Sequence, residues 1–161
     1  MIVYIAVIVS FLMESVITNI VNINSILLPL FLLTSLVIIY PYCKNNAVFI
    51  SLCTICGLFY DISIDSSFIN TMSYSFVSLI IIFLYNYLKY NVYSASFINL
   101  VSIVFLRIIS YLLFLLVSIM KFNINNLFVS IYSSILINLI YGIILYIIIN
   151  LIAKIFNIKS Y

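Results

Sequence analysis

The chain has 161 residues, of which 68% are hydrophobic and 6% charged, and its formal net charge is +3. Soluble domains hold roughly 45–50% apolar and about 25% charged residues, and so few charged side chains cannot solvate a globule of this size. A water-soluble fold is thereby excluded, and the scattered basic residues argue against a nucleic-acid surface.

An apolar helix needs about 20 residues to cross a bilayer. In chain order the segments that qualify are Ile2–Ile20, Ser25–Tyr42, Ala47–Ile62, Thr71–Leu88, Ala95–Met120 and Leu127–Ile155. The first has no basic region before it and no small-residue cleavage site after it, so it reads as a retained span rather than a signal peptide. The third is short and the sixth long, which implies tilt or a ragged end. Short polar connectors make successive helices antiparallel neighbours. The expected fold is therefore all-α: one membrane domain over residues 1–161, a compact bundle of about six transmembrane helices.

The Lys and Arg bias orients such a bundle. Six crossings put Lys44, Lys89, Lys154 and Lys159 on one side with both termini, and Lys121, Asp61 and Asp65 on the other. Both termini are expected in the cytoplasm.

Four spans carry polar residues that need an explanation. Glu14 and Arg107 each lie about twelve residues into an outward-running span, so both sit roughly 18 Å above the cytoplasmic boundary. Charges at that depth are tolerated when they face a bundle interior and find partners. A Glu14–Arg107 pair is geometrically open, and Asp61, at the outer end of the third span, could join it. For Glu14, snorkelling to the interface, a structural pair that fixes helix register, and direct ligand or proton handling all remain open. Stripes at helical spacing occur at Ser10, Glu14 and Thr18, at Ser51, Thr54, Gly57 and Asp61, and at Ser134, Asn138, Gly142, Tyr146 and Asn150. Such residues let helices approach and hydrogen-bond, or they line a cavity if several converge.

Catalysis and cofactor binding find little footing. With no His, triads and imidazole metal sites are excluded. Cys53 and Cys56 form a C-x-x-C without a second pair, inside an apolar helix, where zinc would want four ligands. All three cysteines read as small buried hydrophobes. Asp61 and Asp65 alone make a poor cation site. No phosphate-binding glycine loop is present, and no cofactor or metal is expected.

Gly57-Leu58-Phe59-Tyr60-Asp61, followed by Phe68-Ile69-Asn70-Thr71-Met72, resembles the signature of the rod shape-determining protein MreD family, a GL-x-x-D motif and then a Gly-Leu-Asn-Thr-Leu-like helix start. Pro29 opening the second span and Glu14 late in the first agree with it. Members of that family usually have Ser-Pro-Leu-Gly in the connector, where this chain has Ser66-Ser67-Phe68-Ile69. The resemblance implies a non-enzymatic component of the bacterial cell-elongation machinery. It would sit in the cytoplasmic membrane with MreC and link the MreB cytoskeleton to lateral peptidoglycan synthesis. The competing expectation is the substrate-binding subunit of an energy-coupling-factor vitamin transporter, a similarly small helical bundle with a pocket that Tyr residues could line. An intramembrane enzyme would need carboxylates clustered on the cytoplasmic side and ranks last.

Overall fold

A computed structural model describes residues 2–20, 28–63, 68–117 and 123–156. Among these residues the chain is all α-helical, without a strand. The helices are α1 (Ile2–Ile20), α2 (Phe31–Ile39, prolonged by a 3-10 turn over Tyr40–Tyr42), α3 (Asn46–Ser63), α4 (Ile69–Tyr87), α5 (Val92–Leu116) and α6 (Ile124–Ile155). Asp65, Lys121 and Lys159, which enter the charge argument, lie outside the described residues.

Four helices, α3 to α6, are long and apolar enough to cross a membrane. The apolar stretch of α1 covers Tyr4–Thr18, and that of α2 with its turn covers Phe31–Tyr42, about 18 Å at 1.5 Å per residue. The second segment thus departs from expectation: Leu28–Leu30 is not helical, and the helix begins only at Phe31. Pro29 accounts for this. Its ring disfavours a helical conformation at the preceding residue, and it has no N–H to give.

The short helix is the centre of the molecule. Every residue of α2 from Phe31 to Ile39 is buried, as expected of a helix that is apolar all round. Its two hydroxyl residues satisfy themselves within the chain, Thr34 donating to the Leu30 carbonyl at 3.0 Å and Ser35 to that of Leu32 at 2.7 Å. Helices α1, α5 and α6 pack directly against α2, while α3 pairs with α4, α4 with α5, and α5 with α6. Phe49 and Cys53 of α3, and Tyr74, Val77 and Ile81 of α4, join Leu32, Leu36 and Val37 in one core. The outward faces stay apolar: Ile8, Leu12 and Val16 on α1, and Ile140, Ile147 and Leu151 on α6, are all exposed. Contiguous apolar surface of that extent marks contact with lipid or with partner helices.

One backbone position is strained. Phe68, the residue before α4, has φ 57° and ψ 8°, a left-handed conformation that costs a side-chain-bearing residue about 1–2 kcal/mol. Its ring is largely exposed, so little packing compensates. Phe68→Gly is expected to raise stability by about 1 kcal/mol, measured by denaturant titration in detergent micelles; a loss of stability would show that the ring contributes more than the strain costs.

Candidate functional site

The non-helical lead-in to α2 lies in the apolar interior, where an unpaired backbone group costs several kcal/mol. Two side chains from other helices take up its polar groups. Asn138 of α6 accepts the Leu30 N–H at 2.7 Å through Oδ1, and its Nδ2 donates to the Leu28 carbonyl at 3.3 Å and to the Ser134 carbonyl at 2.6 Å. Glu14 of α1 accepts the Leu32 N–H at 2.9 Å through Oε2, and its Oε1 accepts the Tyr60 hydroxyl of α3. A carboxylate there meets both the orphan N–H groups and the positive end of the helix dipole.

The other end of α2 is held in the same way. Pro41 lacks the N–H that a continuing helix would direct at the Val37 carbonyl. The Tyr85 hydroxyl of α4 donates to that oxygen at 3.1 Å, and the Tyr90 hydroxyl donates to the Ile38 carbonyl at a longer 3.5 Å. Four neighbouring segments thus terminate one buried helix.

Arg107 is partly buried on α5 and donates through Nε and Nη2 to Ser134 Oγ at 3.0 and 2.8 Å. The Ser134 hydroxyl in turn donates to the Ser130 carbonyl at 2.7 Å. The direct Glu14–Arg107 ion pair that equal depth suggested is not formed, because each group spends its hydrogen bonds on other partners. They share a centre nonetheless: Tyr60 and Tyr74 stack between them with ring centroids 5.6 Å apart, and Glu14, Tyr74 and Arg107 lie within one another's electrostatic field. Among the described residues the buried Tyr74 hydroxyl finds no hydrogen-bond partner of ordinary geometry.

Asp61 does not join this centre. From the last turns of α3 it caps α4: Oδ1 accepts the Asn70 N–H and side-chain amide at 3.0 Å each, and Oδ2 accepts the Thr71 N–H at 2.8 Å and hydroxyl at 2.5 Å. Gly57, one turn earlier, lets α3 approach closely enough. A Cβ built on it would stand 2.6 Å from Thr71 Cα and 2.8 Å from the Asn70 carbonyl oxygen. Gly57, Asp61, Asn70 and Thr71 therefore form one joint between two helices, reinforced by Thr54 and Ser75, whose hydroxyls lie 3.0 Å apart. Leu58, between them, is only partly buried.

The stripe of α6 faces inward along its whole length. Beyond Ser134 and Asn138, Gly142 packs against Asn99 and Thr34, with a built Cβ 3.1 Å from Asn99 Nδ2 and 3.2 Å from Thr34 Cγ2. Tyr146 meets the Tyr90 ring at 5.1 Å, and Asn150 accepts the Tyr42 hydroxyl at 2.6 Å. In α1, Ser10 and the Tyr141 hydroxyl lie 2.7 Å apart, and Thr18 bonds its own helix at the Glu14 and Ser15 carbonyls. The stripes of α1 and α6 build the bundle from within, whereas Ser51, at the start of the α3 stripe, is exposed and bonds only the Ala47 carbonyl of its own helix among the described residues. Cys53 and Cys56 are buried and Cys43 is partly buried, all as free thiols. Among the described residues no group of three or more Cys, Asp and Glu is placed to hold a metal ion.

Sequence reasoning missed Tyr60, Tyr85 and Asn99. Their residue types are ordinary in apolar helices, and nothing in the spacing marks which tyrosine faces a carboxylate or a helix end. Pro41 was the one available signal, since a proline that breaks a helix leaves a carbonyl in search of a donor. No protein-family model matches the chain, and no curated protein and no solved structure matches it.

Proposed function

We propose that the chain is a non-enzymatic, multi-pass protein of the bacterial cytoplasmic membrane that works in the cell-elongation complex, partnering MreC and helping to couple the MreB cytoskeleton to lateral peptidoglycan synthesis. The observation that carries this reading is the α3–α4 joint. Three of the residues by which the chain resembles the MreD family, Gly57, Asp61 and Asn70, meet in one closely packed unit. Pro29, a further point of likeness, sets the start of the central helix.

In this reading six helices cross or enter the bilayer and both termini are cytoplasmic. Lys44 and Lys89 line one pocket, which supports their assignment to a single side. The inward stripes are consumed inside the bundle, so partner contact falls to the outward apolar faces of α1 and α6. Grooves of about 490 Å3 between α1 and α6 and about 320 Å3 between α1 and α3 flank the first helix, walled chiefly by aliphatic and aromatic side chains. Their chemistry suits a partner's transmembrane helix better than a polar vitamin.

The test is co-purification of the tagged full chain with MreC from detergent-solubilised membranes. Stoichiometric recovery of MreC is expected. A vitamin bound to the purified chain, detected by mass spectrometry in the absence of MreC, would contradict the reading and favour substrate capture.

A further inference from the structure

A separate pocket of about 520 Å3 opens where the 3-10 turn after α2, the start of α3 and the connector from α4 to α5 come together. Lys44, Asn45, Asn46, Asn86, Lys89 and Tyr90 are among its walls. The polar groups here are biased towards donors. Asn45 spends its side-chain carbonyl on the Ala47 N–H at 3.1 Å, and Asn46 spends its own on the Tyr40 hydroxyl at 2.9 Å. Each carbonyl is thus already engaged, while each NH2 group remains to donate. Lys44 and Lys89 are exposed ammonium groups, each with three donors and no acceptor. The described carboxylates are engaged elsewhere, Glu14 on Leu32 and Tyr60, Asp61 on Asn70 and Thr71.

The floor is rigid. Tyr40 and Tyr85 stack at 5.1 Å, Tyr85 and Tyr90 meet at 6.2 Å, and the Tyr85 and Tyr90 hydroxyls are turned away towards α2 carbonyls. A concave site with two cations, two spare amide donors and a fixed aromatic floor matches a compact anion that has several acceptor oxygens. It also lies where apolar helices end; in a membrane-spanning bundle that is the level of lipid headgroups, where basic pockets between helices recognise anionic lipids.

We propose that this pocket binds a phosphate group, with Lys44 and Lys89 as its two cationic arms and the Asn45 and Asn46 amides as further donors. The phosphate belongs either to an anionic phospholipid of the adjoining leaflet or to a soluble phosphate compound. The site is independent of the elongation role, because it rests on no residue of the α3–α4 joint.

The test uses the full chain in detergent micelles, titrated with phosphatidylglycerol and, separately, phosphatidylcholine, with retained lipid read by native mass spectrometry. The wild type is expected to retain phosphatidylglycerol preferentially. At about 1 kcal/mol for each basic residue, the Lys44→Gln/Lys89→Gln variant should bind it about thirtyfold more weakly. Lys154→Gln, which removes a charge that does not line this pocket, should weaken binding less than the double variant does. All three substitutions are on exposed side chains, and an unchanged melting temperature verifies the fold. Excess inorganic phosphate that displaces the lipid would identify a soluble phosphate as the occupant; lipid that resists displacement identifies the membrane source. Undiminished binding in the double variant, or an equal loss in Lys154→Gln, would overturn the proposal.

Discussion

Asp61→Ala should lower the unfolding free energy by about 3 kcal/mol, because it strips both the Asn70 and Thr71 N–H groups of their acceptor at the start of α4. Hydrogen bonds to a charged group contribute about 1.5–3 kcal/mol, and helix caps about 1 kcal/mol. Asp61→Asn keeps one acceptor oxygen and should recover part of the loss. Gly57→Ala acts on the same joint by a different route. Its new Cβ would meet the Thr71 Cα at 2.6 Å, and backbone cannot swing aside as a side-chain tip can, so the helices must part at a cost of about 1–3 kcal/mol. Since both changes open one contact, their combination should cost less than the sum. Denaturant titration of the single and double variants in mixed micelles reads all three values, and a fully additive double variant would mean that the two residues hold separate structures.

The second large effect concerns the lead-in to α2. Glu14→Ala leaves the buried Leu32 N–H and the Tyr60 hydroxyl without an acceptor, and Asn138→Ala does the same to the Leu30 N–H. Each should destabilise the bundle by about 2–3 kcal/mol. Leu30 and Leu32 belong to one short segment, so releasing either should loosen the hold of the other. A double-mutant cycle is expected to give a coupling of about 1 kcal/mol or more, where independent sites add to within about 0.5 kcal/mol. An additive result would show that the two side chains do not act on a common element. Arg107 is expected to enter this cycle only weakly, since its guanidinium is bonded to Ser134 rather than to Glu14.

The helical class and most element positions were legible in the chain, because apolar run length alone fixes them: the predicted first span coincides with α1, and the sixth begins at Leu127 where α6 begins at Ile124. What hydropathy could not see was the break ahead of α2. Ser25–Tyr42 is apolar apart from Ser25, Thr34 and Ser35, and at its start only Pro29 separates a continuous span from a short helix with a non-helical approach. Equal position along their spans suggested that Glu14 and Arg107 share an interior, and both groups do lie near the same buried tyrosines, Tyr60 and Tyr74. Pairing was not legible, because equal depth says nothing about rotation about the helix axis or about competing acceptors. Spacing grouped Asn138 with Gly142 and Ser134 on one face, and that face does turn inward. The same spacing could not reveal that Asn138 serves backbone rather than another side chain. Asp61 illustrates the limit most clearly. Its partners lie nine and ten residues ahead, on the next helix, and no periodicity within α3 points to them.

The account rests on side chains of α1 and α6 carrying the backbone amides at the start of a buried helix. Residue-resolved amide hydrogen exchange of the full chain in micelles tests this directly. Leu30 and Leu32 should exchange as slowly as the middle of α2 in the wild type, with Leu30 released selectively by Asn138→Ala and Leu32 by Glu14→Ala. Rapid exchange at both positions in the wild type, or slow exchange that neither substitution alters, would contradict it.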